Sequence, residues 1–234
     1  MALNDRNRSE LERQMRAALG AAWDGQADAL LRYLGDPPNA NNVPPAFWAR
    51  LEADTRDALL PVLFEARLVT AQQLADTTGV RERVNWDLVN TRAQSAAESY
   101  SFELVRGITD TSRDRLRGVV ARFAATPGQD IKSLGSEIGG IFDSRVRGEM
   151  IAVTEVTRAA AQGEQDLVDE IRRLDPNAGV AQIWLTSNDE LVCPVCGPLH
   201  GKRRGNGWTE PPPAHPRCRC DMATQLITDL SDAQ

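Results

Sequence analysis

The distribution of cysteines constrains this 234-residue chain more than any other feature of its sequence. All four cysteines fall between positions 193 and 220, and the first 192 residues contain none. A disulfide framework would spread its bridges through the fold, and a reducing cytosol would not preserve them. Cysteines clustered in this way favour a metal site.

Two short motifs make up the cluster. Cys193-Pro-Val-Cys196 is a C-x-x-C turn, and the segment His215-Pro-Arg-Cys218-Arg-Cys220 follows it after a loop. Zinc binds four nitrogen or sulfur ligands tetrahedrally, typically two from such a turn and two from a distant segment. We therefore predict a structural zinc site, with five candidate ligands: Cys193, Cys196, His215, Cys218 and Cys220.

The motifs leave open which four of these five residues bind the metal. His200 is a weaker candidate because it follows the first turn too closely to close a loop, and we expect it at the surface. Two other interpretations of the cysteines remain: buried, reduced thiols without a metal, or disulfides in an oxidising environment.

A catalytic metal is disfavoured by the residues around the candidate ligands. A zinc deaminase needs an H-x-E motif, and a zincin needs H-E-x-x-H. Here His200 precedes Gly201 and His215 precedes Pro216, so the glutamate is missing from both positions. A metal-dependent nuclease needs a histidine as general base, whereas His215 belongs to the predicted ligand set. We expect no enzymatic activity.

The charge balance disfavours a nucleic-acid platform. The chain has 27 Lys and Arg residues against 33 Asp and Glu residues, a formal net charge of −6. Between residues 183 and 222 there are five positive and four negative side chains, so the local balance is about +1, and few counterions would be released on binding DNA. We expect the basic side chains there to be solvated.

The sequence predicts a soluble protein that is made in a cytosol. No run approaches the roughly 18 apolar residues of a membrane span. The polar beginning MALNDRNRSELERQ lacks the apolar core of a signal peptide.

Hydrophobic periodicity predicts a mostly helical chain that ends in two strands. A Pro/Asn-rich loop is predicted at 35–45, a helix end at Gly107, a new helix capped by Thr109 or Thr111, and a break at 126–128. Pro61 is expected to kink its helix or begin a second segment. The predicted helices are 3–34, 47–77, 85–106, 131–141 and 145–174, and the predicted strands are 180–186 and 222–227.

The predicted fold class is mostly α, with helical N-terminal and central regions and a small C-terminal α+β module resembling a zinc knuckle. We divide the chain into an N-terminal helical region (1–83), a central helical part (84–175) and a Cys/His module (176–234). We expect Trp184 and Trp208 to form the core of the Cys/His module.

The two cysteine motifs resemble those of the phage Mu F-like minor head proteins, also called phage head morphogenesis proteins. The similar run begins Trp184-Leu-Thr-Ser-Asn-Asp189 and includes Pro-Pro-Ala-His215-Pro-Arg-Cys218-Arg-Cys220. An upstream segment, Ile151-Ala-Val-Thr154-Glu155, is similar to a helical motif of the same family. The resemblance covers about residues 84–222. We expect Glu155 to pair with Arg158 or Arg147, to contact a partner, or to lie on a solvated face.

The resemblance implies a structural virion protein of a tailed phage or prophage that associates with the portal. Such a protein acts in head assembly and in genome packaging or delivery. The implied partner is the portal protein, with the major capsid or scaffold protein as a second candidate. Packaged DNA lies nearby without sequence-specific binding, and no membrane is involved. The implied location is the head near the portal, after synthesis in the host cytoplasm. The alternative is a zinc-supported nucleic-acid-binding protein or nuclease.

Overall fold

Six α-helices, three short 3-10 helices and a two-stranded antiparallel sheet occur in the described part of the chain, which comprises residues 3–126, 128–142, 145–187 and 189–227 of a computed structural model. The predicted fold class is confirmed at this level, because the chain is mostly helical with a small sheet near the C-terminal end. Three parts of the sequence predictions lie outside the described residues: Pro127 of the predicted break, Asn188 of the run that resembles the head proteins, and residues 228–234 of the predicted Cys/His module. The elements are α1 (Asp5–Trp23), α2 (Gln26–Leu34), α3 (Pro45–Thr78), α4 (Trp86–Ala125), α5 (Ile131–Phe142), α6 (Arg145–Leu174), β1 (Gly179–Leu185) and β2 (Asp221–Ile227).

Two helix boundaries were predicted wrongly, both at glycines. The predicted helix 3–34 is two helices, because Gly25 adopts a left-handed φ of 69° between α1 and α2. The predicted end at Gly107 is absent, since α4 continues through it to Ala125. An internal glycine costs a helix only about 1 kcal/mol, and the buried Val105 and Ile108 continue the apolar face past it.

The threonine cap predicted for a new helix is also wrong, because Thr111 lies inside α4. Its hydroxyl donates back to the Gly107 carbonyl at 2.8 Å. Pro61 similarly lies inside α3, which runs as one helix from Pro45 to Thr78.

The helices α5 and α6 match their predicted ranges within one residue. No helix in the described ranges has the length and apolar character of a membrane span.

The chain forms two compact units that do not follow its sequence order. The first unit comprises Met1–Gln14, Pro61–Ala97 and Glu149–Gln234, and the second comprises Met15–Leu60 and Glu98–Gly148. The three-part division of the sequence at residues 83 and 175 stays a prediction about domains.

The second unit contains a buried arginine, Arg147. Its guanidinium donates to the carbonyls of Ile108 at 2.8 Å and Ile141 at 2.9 Å, and lies 5.1 Å from the ring centroid of Trp23. Burial lowers the pKa of Arg147 to about 10. The side chain thus links α4, α5 and α6 within this unit.

In the first unit, Glu155 forms one of its expected pairs, an ion pair with Arg158 at 3.3 Å.

The predicted strands pair as expected, and their inner face covers α6. The register places Trp184 opposite Met222 and Gln182 opposite Thr224. Trp184 packs edge-on against Trp208 with ring centroids 5.4 Å apart. Both indoles are buried in one cluster with Met222, three cysteines and Ala161 of α6. The prediction that the two tryptophans form the core of the module is confirmed.

In the first unit, α3 and α6 approach closely at Gly163. A Cβ atom at this position would lie 2.2 Å from the carbonyl oxygen of Arg67. The same arginine donates to Asp166 at 2.7 Å and to Gln162 at 2.6 Å. A glycine is therefore required at position 163 because α3 backbone occupies the space that any side chain would need.

We predict that Gly163→Ala destabilises the protein by at least about 1–3 kcal/mol, the usual cost of overpacking. Urea unfolding followed by far-UV circular dichroism measures the change. Gly148→Ala on the same helix is the matched control, because a Cβ there meets no atom within 4 Å. Equal stabilities of the two variants would contradict the close approach of α3 and α6.

Candidate metal centre

The first cysteine motif forms a closed turn. The Gly197 amide donates to the Cys193 carbonyl at 2.9 Å, and the Cys196 amide donates to the Cys193 sulfur at 3.4 Å. This amide-to-sulfur bond is the main cause of the lowered pKa of Cys193. The turn therefore favours a thiolate at Cys193, which is the form that binds metals.

The second motif forms a shorter hydrogen-bonded turn. The Cys218 amide donates to the His215 carbonyl at 3.1 Å, which closes the turn across Pro216 and Arg217. Arg217 has a φ of 62°, a left-handed conformation that is uncommon for a residue with a side chain. Its amide donates to the Thr154 hydroxyl of α6 at 2.9 Å, so a tertiary hydrogen bond holds this conformation.

All five predicted ligands come together in two overlapping groups. Cys193, Cys196 and His215 form one group, and Cys196, Cys218 and Cys220 form the other, with ligand atoms within 4.8 Å of one another in each. The four cysteines are free thiols.

Three separations within these groups can be compared with a metal tetrahedron. The Nε2 atom of His215 lies 3.0 Å from the Cys193 sulfur and 3.2 Å from the Cys196 sulfur, and the Cys196 and Cys218 sulfurs lie 3.8 Å apart. Zinc–ligand bonds of about 2.3 Å to sulfur and 2.0–2.1 Å to nitrogen imply edges of about 3.8 Å between sulfurs and about 3.5 Å between sulfur and nitrogen. The sulfur–sulfur separation matches its tetrahedral edge, whereas both sulfur–nitrogen separations are shorter than theirs. The donor types are compatible with a metal ion.

The imidazole of His215 has a defined orientation. Its Nδ1 atom lies 2.7 Å from the Pro216 carbonyl oxygen. Because a carbonyl can only accept, Nδ1 carries the proton, and the Nε2 lone pair faces the two sulfurs of the first turn. The same hydrogen bond is the main cause of the raised pKa of His215. Metal-binding histidines commonly donate their second ring nitrogen to a carbonyl in this way.

The buried thiols differ strongly in acidity. A hydrogen bond with the Cys220 thiol lowers the pKa of Cys218 to about 5, and the same bond, together with burial, raises the pKa of Cys220. Burial raises the pKa of Cys196 to about 12. These shifts favour the thiolate at Cys218 and the protonated thiol at Cys196, so a metal that binds the Cys196 sulfur would release its proton.

His200 lies outside both groups, as expected. It is exposed, and its Nδ1 atom lies 3.1 Å from the Thr186 amide and 2.9 Å from the Thr186 hydroxyl oxygen.

Sequence reasoning missed the residues that attach the second turn to the helices. Thr157 of α6 donates its hydroxyl proton to the Cys218 carbonyl at 3.0 Å and accepts from Arg8 of α1 at 2.9 Å. Arg8 also forms an ion pair with Asp221 at 3.3 Å. Arg8 carries no sequence signal for this role, because its partners are 149 and more residues away.

No protein-family model, curated protein or solved structure matches the chain.

Beneath the sheet, α6 places a carboxyl group in the core. Glu164 is fully buried and accepts a hydrogen bond from the Thr224 hydroxyl at 2.8 Å, while its Oε1 atom has no hydrogen-bond partner among the described residues. Burial raises the pKa of Glu164 well above its usual range, and the nearby Asp221 carboxylate raises it further. The folded protein therefore retains a proton that the unfolded chain releases near pH 4.5.

We predict that Glu164→Gln reduces the pH dependence of stability. Because the native state holds the extra proton, unfolding free energy falls as the pH rises from 4.5 towards the raised pKa. The neutral amide removes this loss, so the variant gains stability relative to wild type as the pH rises through that window. Urea unfolding at a series of pH values measures the difference, and parallel pH profiles would contradict a raised pKa at Glu164.

Proposed function

We propose that the chain is a structural minor capsid or head morphogenesis protein of a tailed phage or prophage, which associates with the portal. The observation that carries the proposal is the contact between the two segments that resemble the Mu F-like family. Thr154, in the helical segment Ile151–Glu155, binds the amide of Arg217 in the His215–Cys218 turn. Two motifs separated by about sixty residues thus form one structural unit.

The Cys/His module of this protein would hold a structural zinc ion. The ligands would be Cys193, Cys196, His215 and one or both of Cys218 and Cys220. Bound zinc would supply a cross-link between the two turns. The region 180–226 has only about 47 residues, close to the size at which burial of apolar surface alone gives marginal stability.

A non-enzymatic role is supported by the state of His215. One ring nitrogen contacts the Pro216 carbonyl and the other faces the thiols of Cys193 and Cys196. Neither nitrogen is available as the general base that a nuclease needs. This arrangement favours the structural role over the alternative of a zinc-supported nuclease.

Three of the five basic side chains between residues 183 and 222 have protein partners that compete with DNA phosphates. Arg219 pairs with Asp189 at 2.6 Å, and Arg217 lies 3.6 Å from Glu149. Arg204 donates to Gln165 and Gln182. Together with the net charge of −6, these pairs suit a protein that lies beside packaged DNA without binding a specific sequence.

The proposed location is the head near the portal, after synthesis in the host cytoplasm. The portal protein is the proposed partner, and the major capsid or scaffold protein is the second candidate. The proposed role is in head assembly and in genome packaging or delivery.

We predict that Cys193→Ser lowers the zinc content and unfolds the Cys/His module while the helices keep their far-UV signal. The emission of Trp184 and Trp208, which are buried in the module, should shift to longer wavelength. Val195→Ala in the same turn is the control, because Val195 is exposed and contributes no ligand atom. Unchanged zinc content and fluorescence in Cys193→Ser would refute the zinc site.

The portal association is tested by co-expression with the portal protein encoded by a neighbouring gene. Native mass spectrometry of the purified complex should give a defined number of copies on the portal ring, with zinc in the mass. A zinc-loaded protein that does not bind the portal would favour the nuclease or nucleic-acid-binding alternative. Portal binding without zinc would retain the head-protein function and overturn the metal site.

A further inference from the structure

We infer that the second unit carries a contact surface for a second copy of this chain, formed by two adjoining cavities of opposite charge. This self-association goes beyond the proposed head function and does not depend on it. The basic cavity has a volume of about 340 Å³ and the acidic cavity a volume of about 320 Å³. Gly20, Trp23 and Phe142 line both cavities, so the two form one continuous surface.

The shared floor of the cavities is aromatic, and its walls lack side chains. Trp23 and Phe142 pack edge-on with ring centroids 6.3 Å apart. Gly20 of α1 lies above them, and Gly139 of α5 lines the acidic cavity. A Cβ atom at either glycine would meet no atom within 4 Å. Since glycine inside a helix is less stable than alanine, packing within the chain does not account for these two residues, and both leave room for another molecule.

The charges at the two cavities are separated by sign. Arg16 and Arg145 line the basic cavity, which no acidic side chain lines among the described residues. Asp24 and Asp28 line the acidic cavity, where the described lining residues include no basic side chain. All four side chains are exposed, and none has a hydrogen bond or ion pair within the described part of the chain. The unit therefore presents two pairs of like charge that its own described side chains do not neutralise.

The order of these charges along α1 makes the surface complementary to itself. Arg16, Gly20 and Asp24 follow one another at intervals of four residues and so form one row on the helix. A two-fold axis beside Gly20 exchanges the two ends of this row, so that Arg16 of each copy faces Asp24 of the other. The same rotation brings the basic cavity of each copy against the acidic cavity of the other. Isologous contacts of this kind are the commonest in soluble oligomers.

The long arginine side chains suit the acidic cavity of a second copy. Guanidinium groups form paired hydrogen bonds with carboxylates, and such pairs are stronger than those between neutral groups. The formal net charge of −6 on each chain makes two copies repel each other at long range. Association therefore depends on local pairs of opposite charge, which the two cavities supply.

Sedimentation velocity of the full chain over a range of concentrations tests the contact. The wild-type protein should form a dimer. An acidic variant, Arg16→Glu with Arg145→Glu, and a basic variant, Asp24→Lys with Asp28→Lys, should each weaken dimerisation at least about a hundred-fold, because like charges then face each other. An equimolar mixture of the two variants should restore the dimer, since every facing pair again has opposite charges.

The control variant, Arg32→Glu with Lys132→Glu, makes the same change in net charge as the acidic variant. Both of its residues are exposed and line neither cavity, so it should dimerise like wild type. Far-UV circular dichroism checks that each variant is folded.

Three results would each overturn the inference: a wild-type protein that stays monomeric at every concentration, a dimer that persists in both charge variants, or folded variants that remain apart when mixed. The acidic variant is also co-expressed with the portal protein. A monomeric wild type whose portal binding is lost in the acidic variant would assign the cavities to the portal protein and would overturn the second copy as their occupant.

Discussion

The hydroxyl group of Thr157 makes the two hydrogen bonds on which the rest of the Cys/His module depends. It donates to the Cys218 carbonyl and accepts from Arg8, so one side chain joins α1, α6 and the second turn. A segment of about 47 residues gains only marginal stability from its own burial of apolar surface. The inner face of the sheet packs on Ala161 of α6, and Thr154 and Thr157 fix the turn at the edge of that contact. Helix α6 therefore supports the segments that carry the candidate ligands.

Sequence periodicity predicted the elements that are long and regular. Helix α6 and the paired strands were predicted within about a residue, because their apolar faces repeat over enough positions to be unambiguous. Errors arose where one residue decides a boundary. Gly25 adopts a left-handed conformation and separates two helices, whereas Gly107 remains helical. Local sequence does not distinguish these glycines, since the packing of their neighbours determines the conformation of each.

The residues of the candidate site were likewise predicted only in part. The ligand types and their spacing follow from two short motifs, so all five candidate residues were predicted from sequence and lie together. The groups that hold those motifs in place could not be predicted, because each contact depends on the tertiary fold. Arg8 and the turn it secures are joined by contacts that span most of the chain. The pairing of Nδ1 of His215 with its neighbouring carbonyl also required coordinates, since a sequence contains no information on side-chain orientation.

The ion pair between Arg8 and Asp221 has a consequence for the order of events during synthesis. Its two residues are separated by 213 positions (221 − 8), and a ribosome adds about 5–20 residues per second. Arg8 therefore leaves the ribosome roughly ten to forty seconds before its partner. During that interval α1 can fold, but its attachment to the module cannot form. The attachment of α1 to the module consequently has to wait until the segment that carries Asp221 has been synthesised.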